Sequence, residues 1–394
     1  MAFGGLLAVS VVGVTLAGRD CDRRVPTRAL WSGLIGFLGG LLMAGIAPSM
    51  MVLIAARVLQ GLGTGAISVA LYVVVARAYP PVLRARMFSA LSAGWVIPSL
   101  FGPALAGWIV QHTSWRWIFL SMPLLVAPAA AVLRRPLTRL RAVPVDDVPA
   151  PAHAGWAVGV ALGVLTLYVA GQSRGSAALL TMAIATAVVT SCVRRLVPPG
   201  TLAAGRGLPS VILLRGLAAA AFFGCEAFVP LLLSRERGLT PTLTGVALSA
   251  GALSWFCGAW YQGLRVQIMP RHRLIAAGAT LLALGIGVTA SAIHPAMSVA
   301  AAVAGWILAG SGMGLISPSL SVMVLQLSPP GSEGRNSSAM QLTEAVTVAT
   351  VLAVSGSLFA RLLDHQPTLG YALAFAPAFA LALLAGILAH RTRP

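Results

Sequence analysis

The stretch Arg57-Val-Leu-Gln60-Gly61-Leu-Gly63-Thr-Gly65 sets an arginine inside a long apolar run and follows it with closely spaced glycines. A full positive charge in hydrocarbon costs roughly 2.5–3.5 kcal/mol on insertion scales, so such a residue does not persist by accident. The glycines let a neighbouring helix approach it closely. A charge held at depth beside a tightly packed helix points to machinery that moves something across a bilayer.

The surrounding chain agrees. It has 394 residues, 58% of them hydrophobic and 9% charged, with a mean hydropathy of +0.89. The apolar residues come in blocks separated by short polar breaks, which defines an all-α polytopic membrane protein rather than a soluble domain. Blocks of roughly 17–28 residues, enough to cross a core of about 30 Å, fall at 2–17, 29–47, 49–76, 87–111, 116–134, 155–171, 175–192, 209–233, 241–264, 273–291, 297–325, 336–361 and 369–390. That predicts about 13 transmembrane helices, with the two termini on opposite sides.

The net charge of +18 is carried without lysine; all 27 basic residues are arginine. Along alternating spans, twenty arginines fall in one set of loops, five in the other, and two, Arg57 and Arg215, within spans. The positive-inside rule makes the richer set cytoplasmic, which places the C-terminus inside and Met1 outside a cell (plasma) membrane. Nucleic-acid binding would need these charges on one folded surface, so no nucleic-acid partner is expected. Metal-ligand spacing, a nucleotide-binding loop and a hydrolytic constellation are all missing, so neither an enzyme nor a cofactor is expected. No two of the four cysteines share the outer face, so no disulfide is expected either. The six histidines fall in loops or at helix ends, which removes histidine as a mid-membrane proton carrier.

The breaks carry turn chemistry: Ala-Tyr-Pro-Pro at 78–81, Val-Pro-Pro-Gly at 197–200 and Ser-Pro-Pro-Gly at 328–331. The polar insert 135–154, with four prolines and Asp146-Asp147, reads as a cytoplasmic linker. An internal repeat aligns Gly61-Leu-Gly63-Thr-Gly65-Ala-Ile67-Ser68-Val-Ala-Leu71 with Gly310-Ser-Gly312-Met-Gly314-Leu-Ile316-Ser317-Pro-Ser-Leu320, an offset of 249 residues. At a similar offset the basic loop 18–28 falls near the basic loop 265–273. Two related helix bundles follow, as in secondary transporters. On this register the counterpart of helix 209–233 should lie upstream of residue 2. The expectation is therefore a chain lacking its first helix, or one whose start is placed late.

Three segments carry a family resemblance. The first is Gly18-Arg19-Asp20-Cys21-Asp22-Arg23-Arg24-Val25-Pro26-Thr27-Arg28, and the second is Arg57-x-x-Gln60-Gly61. The third is Gly94-Trp-Val-Ile-Pro98-Ser-Leu-Phe-Gly102-Pro103-Ala-Leu-Ala106-Gly107. Together they resemble the major facilitator superfamily, specifically its drug:proton antiporter group with fourteen spans. Val25 departs from the pattern where a glycine is usual, and Pro98 and Ala106 do so likewise. The resemblance implies two pseudo-symmetric bundles plus two extra central helices: 1–134 an N-terminal bundle, 135–207 a linker and two added helices, 208–394 a C-terminal bundle. It also implies that Arg57, with Gln60 on its face, takes part in proton coupling by acting on a nearby carboxylate. Gly18, Asp22, Arg23 and Arg28 would form a cytoplasmic gate loop in which Asp22 and Arg23 latch the bundles. Gly94, Gly102, Pro103 and Gly107 would form a hinge.

Of nine acidic residues only Glu226 and Glu344 lie inside spans. A carboxylate isolated in low dielectric favours its protonated form and can load and release protons. Glu226 sits between Phe222, Phe223 and Phe228, eleven residues after Arg215; at about 1.5 Å per residue that is roughly 16 Å, too far to pair within one helix. It therefore meets another helix, as a packing carboxylate or a proton carrier, or faces the cavity. Glu344 and Gln341, three residues apart, share a face that either lines the cavity or forms a hydrogen-bonded stripe. Trp95, Trp255 and Trp306 lie away from span ends and could stack on a flat or cationic substrate, although apolar helix packing suits each of them better; the candidates for cavity or substrate contact are Gln60, Gln341, Trp95, Phe222 and Phe223.

These observations support a monomeric secondary transporter that works in the lipid bilayer on a small-molecule substrate and protons. The expected activity is proton-coupled export of small amphipathic compounds by alternating access, driven by the proton gradient. The alternatives are a facilitator or importer of a specific metabolite on the same fold, and a truncated non-transporting remnant.

Overall fold

The computed structural model describes residues 2–138, 140, 154–172, 176–265, 269–363 and 365–393. Thirteen long helices run through it: α1 (Ala2–Arg23), α2 (Pro26–Gly45), α3 (Met50–Ala78), α4 (Pro81–His112), α5 (Arg116–Leu137), α6 (Ala154–Gln172), α7 (Ser176–Leu196), α8 (Leu208–Glu226), α9 (Pro241–Arg265), α10 (Arg271–Ser291), α11 (Val299–Leu327), α12 (Glu333–Leu362) and α13 (Pro367–Leu388). No strand occurs among the described residues. Among the described residues, eleven of the helices are long and apolar enough to cross a membrane by length and composition.

Punctuation in the sequence fixes the turns. Val-Pro-Pro-Gly and Ser-Pro-Pro-Gly both end on a glycine in the left-handed region, Gly200 at φ 82° and Gly331 at φ 81°, where a side chain would be strained. The break between α1 and α2 is shorter than the loop expected over 18–28. The first helix persists through Arg23 and the second begins at Pro26. Val25 does not hinder this turn, because it sits at φ −71°, ψ 129°, the extended conformation that a following proline favours.

The internal repeat is visible in the helix crossings. In α3, a Cβ on Gly65 would run into Ser10 and Val14 of α1, and one on Gly63 into Gly33 and Phe37 of α2. In α11, Gly314 stands in the same relation to Trp255 and Ala259 of α9, and Gly312 to Gly278 and Leu282 of α10. Each set of glycines strips side chains from one helix so that two neighbours can pack backbone to backbone. The two halves meet through a matching exchange: α12 packs on α1, and α4 packs on α9. The pair α6–α7 lies against α1 and α12, outside both sets. Burial is greatest in the second half, where α8 and α11 are enclosed on almost every side. In α5 only Leu137 is buried.

The helix α8 does not run straight to its expected end near residue 233. It stops at Glu226, and after Ala227 and Phe228 the chain continues as a short turn, Val229–Leu231, and a wider π-turn, Leu232–Glu236. Pro230 lies in this break; having no N–H, it cannot continue the ladder.

Candidate functional site

Two regions join the halves at the end of the bundle that carries the short turns 24–25, 79–80 and 328–332. At the first, α1 crosses the start of α12. Gly18 and Gly334 face each other with no room for a Cβ on either. This close approach brings the Asp22 carboxylate onto the α12 N-terminus, where it accepts hydrogen bonds from the backbone N–H of Gly334 (2.7 Å) and Arg335 (2.8 Å). The first turn of a helix has no partners for its own N–H groups and carries partial positive charge, so a buried carboxylate is well placed there. Asp22 is only 3% exposed. Arg77 of α3 braces the same turn by donating to the Cys21 carbonyl (2.9 Å). Arg23, expected with Asp22 in the latch, and Arg28, expected in the same gate loop, are both exposed. The pseudo-symmetric crossing of α9 with α4 uses neutral groups. Gly263 packs on Ser89, whose hydroxyl donates to the Ala259 carbonyl (2.6 Å).

The second region lies deeper. Arg215 of α8 grips Glu344 of α12 through two hydrogen bonds, Nε to Oε2 at 2.7 Å and Nη2 to Oε1 at 3.2 Å, with side chains 11% and 21% exposed. Its remaining nitrogen, Nη1, donates to the hydroxyl and carbonyl of Ser317 on α11. The Ser317 carbonyl also accepts from Ser321 (2.8 Å), and the Ser321 hydroxyl meets the Tyr72 hydroxyl of α3 at 2.9 Å. One chain of polar contacts thus runs from the ion pair to the opposite half. Tyr72 and Ser321 are 249 residues apart, the offset of the internal repeat, so equivalent positions touch where the symmetry axis passes. Thr347 ties α12 to α8 independently through the Gly216 carbonyl (2.9 Å). Glu344 therefore belongs to a cross-helix ion pair. Gln341 is on the same face but leaves its Nε2 buried without a partner.

Arg57 and Glu226 take no part in that chain. Arg57 donates to the Gln60 side chain (2.9 Å) and lies over the Phe119 ring, 4.7 Å from its centroid. Among the described residues no carboxylate comes within 4.0 Å of it. Gln60 is 1% exposed. Glu226 is half-buried at the α8 break, with no hydrogen bond or ion pair among the described residues. Phe222 and Phe223, on its face of the helix, join Trp255 and Trp306 in an aromatic cluster: Phe222 stacks on Trp306 at 4.7 Å and meets Trp255 edge-on at 5.0 Å. Phe222 and Trp306 are buried, while Phe223 and Trp255 are half-exposed.

A Cβ on Gly94 or Gly102 of α4, Gly245 of α9 or Gly356 of α12 would meet nothing within 4 Å. Gly94 and Gly102 are therefore not close-packing glycines among the described residues. The helix passes unbroken through Gly102, Pro103 and Gly107. The side chains of Trp95, Pro103 and Gly107 lie outside the described residues.

The residues given no role from the sequence are Arg215, Ser317, Ser321 and Tyr72. Charge compensation in hydrocarbon was the available signal: a lone arginine and a lone glutamate in different spans have good reason to meet.

The sequence profile of the Major Facilitator Superfamily matches residues 1–349. An uncharacterized MFS-type transporter of Mycobacterium tuberculosis is 26% identical over 384 residues, covering 92% of this chain and 54% of the relative. A probable multidrug-efflux transporter of the same organism is 26% identical over 369 residues, covering 89% of this chain and 77% of its own. The chain thus spans about half the length of the first of these relatives. Among solved structures, the human organic anion transporter MFSD10 superposes with a TM-score of 0.71 at 16% identity, covering 98% of this chain and 83% of that one. With paired bundles, a repeat offset preserved in three dimensions and a match over most of its length, this chain belongs to the Major Facilitator Superfamily.

Proposed function

We propose that the chain is a proton-coupled exporter of small amphipathic compounds, working by alternating access and held here in the form closed at its basic end and open at the other. One observation carries the reading: the unbroken polar chain from Glu344 through Arg215, Ser317 and Ser321 to Tyr72. Neutralising Glu344 frees Arg215, and freeing Arg215 disturbs the contact between the halves. A protonation event thereby acts on the interface, which is what coupling requires. Glu226, half-buried and unpaired beside the aromatic cluster, serves as the carboxylate that exchanges protons with the open side. Arg57 sets the local field in the N-terminal half. The name of the mycobacterial multidrug-efflux relative is consistent with export.

On this reading residues 1–134 and 208–394 are the moving bundles and 135–207 an accessory segment. The protein is a monomer in the plasma membrane with its C-terminus cytoplasmic. The test is efflux of ethidium, a lipophilic dye, from proteoliposomes under an imposed pH gradient. Wild-type protein moves dye only with the gradient, and Glu226→Gln and Glu344→Gln abolish that dependence. Gradient-independent dye movement, or full coupling in both variants, would favour a facilitator.

A further inference from the structure

A second cationic site lies away from the ion pair, between the start of α10, the end of α11 and the C-terminal turn Ala389–Thr392. The cavity there measures about 330 Å³ and is lined by Arg271, His272, Met323, Gln326, Thr392 and Arg393 among others, with no acidic residue in its wall. Arg271 carries a guanidinium nitrogen, Nη1, that is sealed from solvent and has no acceptor. Buried donors are rarely left so. Arg393 is drawn inward over the cavity, its Nη2 2.7 Å from Nε2 of His272. Two guanidinium groups and an imidazole thus line one cavity, with no acidic side chain among its described lining residues. The wall mixes them with Met323 and Leu327 at the ends of two membrane-spanning helices, the depth at which lipid headgroups lie.

We propose that this cavity binds the phosphate of an anionic ligand, with Arg271 and Arg393 as its principal donors. A guanidinium presents its N–H groups in a fork that matches phosphate oxygens. Two sources share this chemistry: the headgroup of an anionic phospholipid, and a soluble phosphate. Both arms use the full chain purified in detergent. In the first, native mass spectrometry measures retention of phosphatidylglycerol against phosphatidylcholine. In the second, thermal melting is followed with added inorganic phosphate against chloride at equal ionic strength. Arg271→Gln and Arg393→Gln each weaken binding roughly fivefold, as expected for one arginine at such a surface. Arg393 is exposed near the C-terminus, so its replacement leaves the fold intact and keeps the test valid if Arg271→Gln misfolds. Preferential phosphatidylglycerol retention, lost in the variants, establishes the headgroup site. A phosphate-specific melting shift, lost in the variants, establishes a soluble anion. No preference in either arm, or variants equal to wild type, overturns the proposal.

Discussion

Arg215 and Glu344 hold each other where either alone would be expensive. Removing one partner of a buried pair leaves an uncompensated charge, whereas removing both is far milder. Arg215→Gln and Glu344→Gln should each lower the melting temperature of purified protein by several degrees, and the double variant should melt above either single one. A double variant that melts below both would mean that the pair is not a unit. Tyr72→Phe removes one inter-half hydrogen bond; in membranes such bonds average about 0.6 kcal/mol, close to a threefold change in the equilibrium between the two open forms. Thiol-reagent accessibility of a cysteine placed at Ser338, which is buried against Gly18 on the closed end, should rise by about that factor. The sequence exposed these residues unevenly. Glu344 and Glu226 stood out as acids inside apolar blocks, and Asp22 through its motif. The partner of Glu344 did not, because distance along one helix was the only geometry available and Arg215 lies 129 residues away. Tyr72 and Ser321 carry no charge and so gave no signal, although their spacing equals that of the repeat.

At the level of helices, the glycines separate into those that enclose contacts and those that do not. Gly334→Ala places a methyl against Gly18 and the Asp22 carboxylate with no side chain able to yield, a misfit of about 1–3 kcal/mol. It should reduce melting temperature and detach Asp22. Asp22→Asn removes the charge from the α12 N-terminus, where such interactions contribute about 0.3–2 kcal/mol; it should leave folding intact while raising labelling at the closed end. By contrast, Gly94→Ala and Gly102→Ala meet open space. Alanine is favoured over glycine in a helix by about 1 kcal/mol, so both should melt at or slightly above the wild-type temperature. A severalfold loss of dye transport with preserved melting would assign these positions to bending of α4; unchanged transport would remove the hinge. Helix positions were readable because apolar block length is set by bilayer thickness. The break of α8 at Glu226 was not, since nothing in an apolar run containing one proline separates a kink from a stop.

Across the whole molecule, the Gly18–Gly334 and Gly263–Ser89 crossings, the Asp22 contact and the Tyr72–Ser321 contact lie towards one end, while Gly94, Gly102, Gly245 and Gly356 meet no neighbour nearer the other. The internal repeat made a two-bundle body legible before any coordinates. Which end is closed was not legible, because the same repeat serves both states. The central claim is that the two halves exchange these roles. It can be measured with spin labels at Arg28→Cys and Arg273→Cys, each the third residue of its helix, on the closed end, and at Ile46→Cys and Met297→Cys on the open end. All four positions are exposed, and the exposed Cys257 is replaced by serine. Pulsed dipolar distances taken before and after acidification should move in opposite directions, with the first pair lengthening as the second shortens. Two pairs that stay fixed, or that lengthen together, would contradict alternating access in this chain.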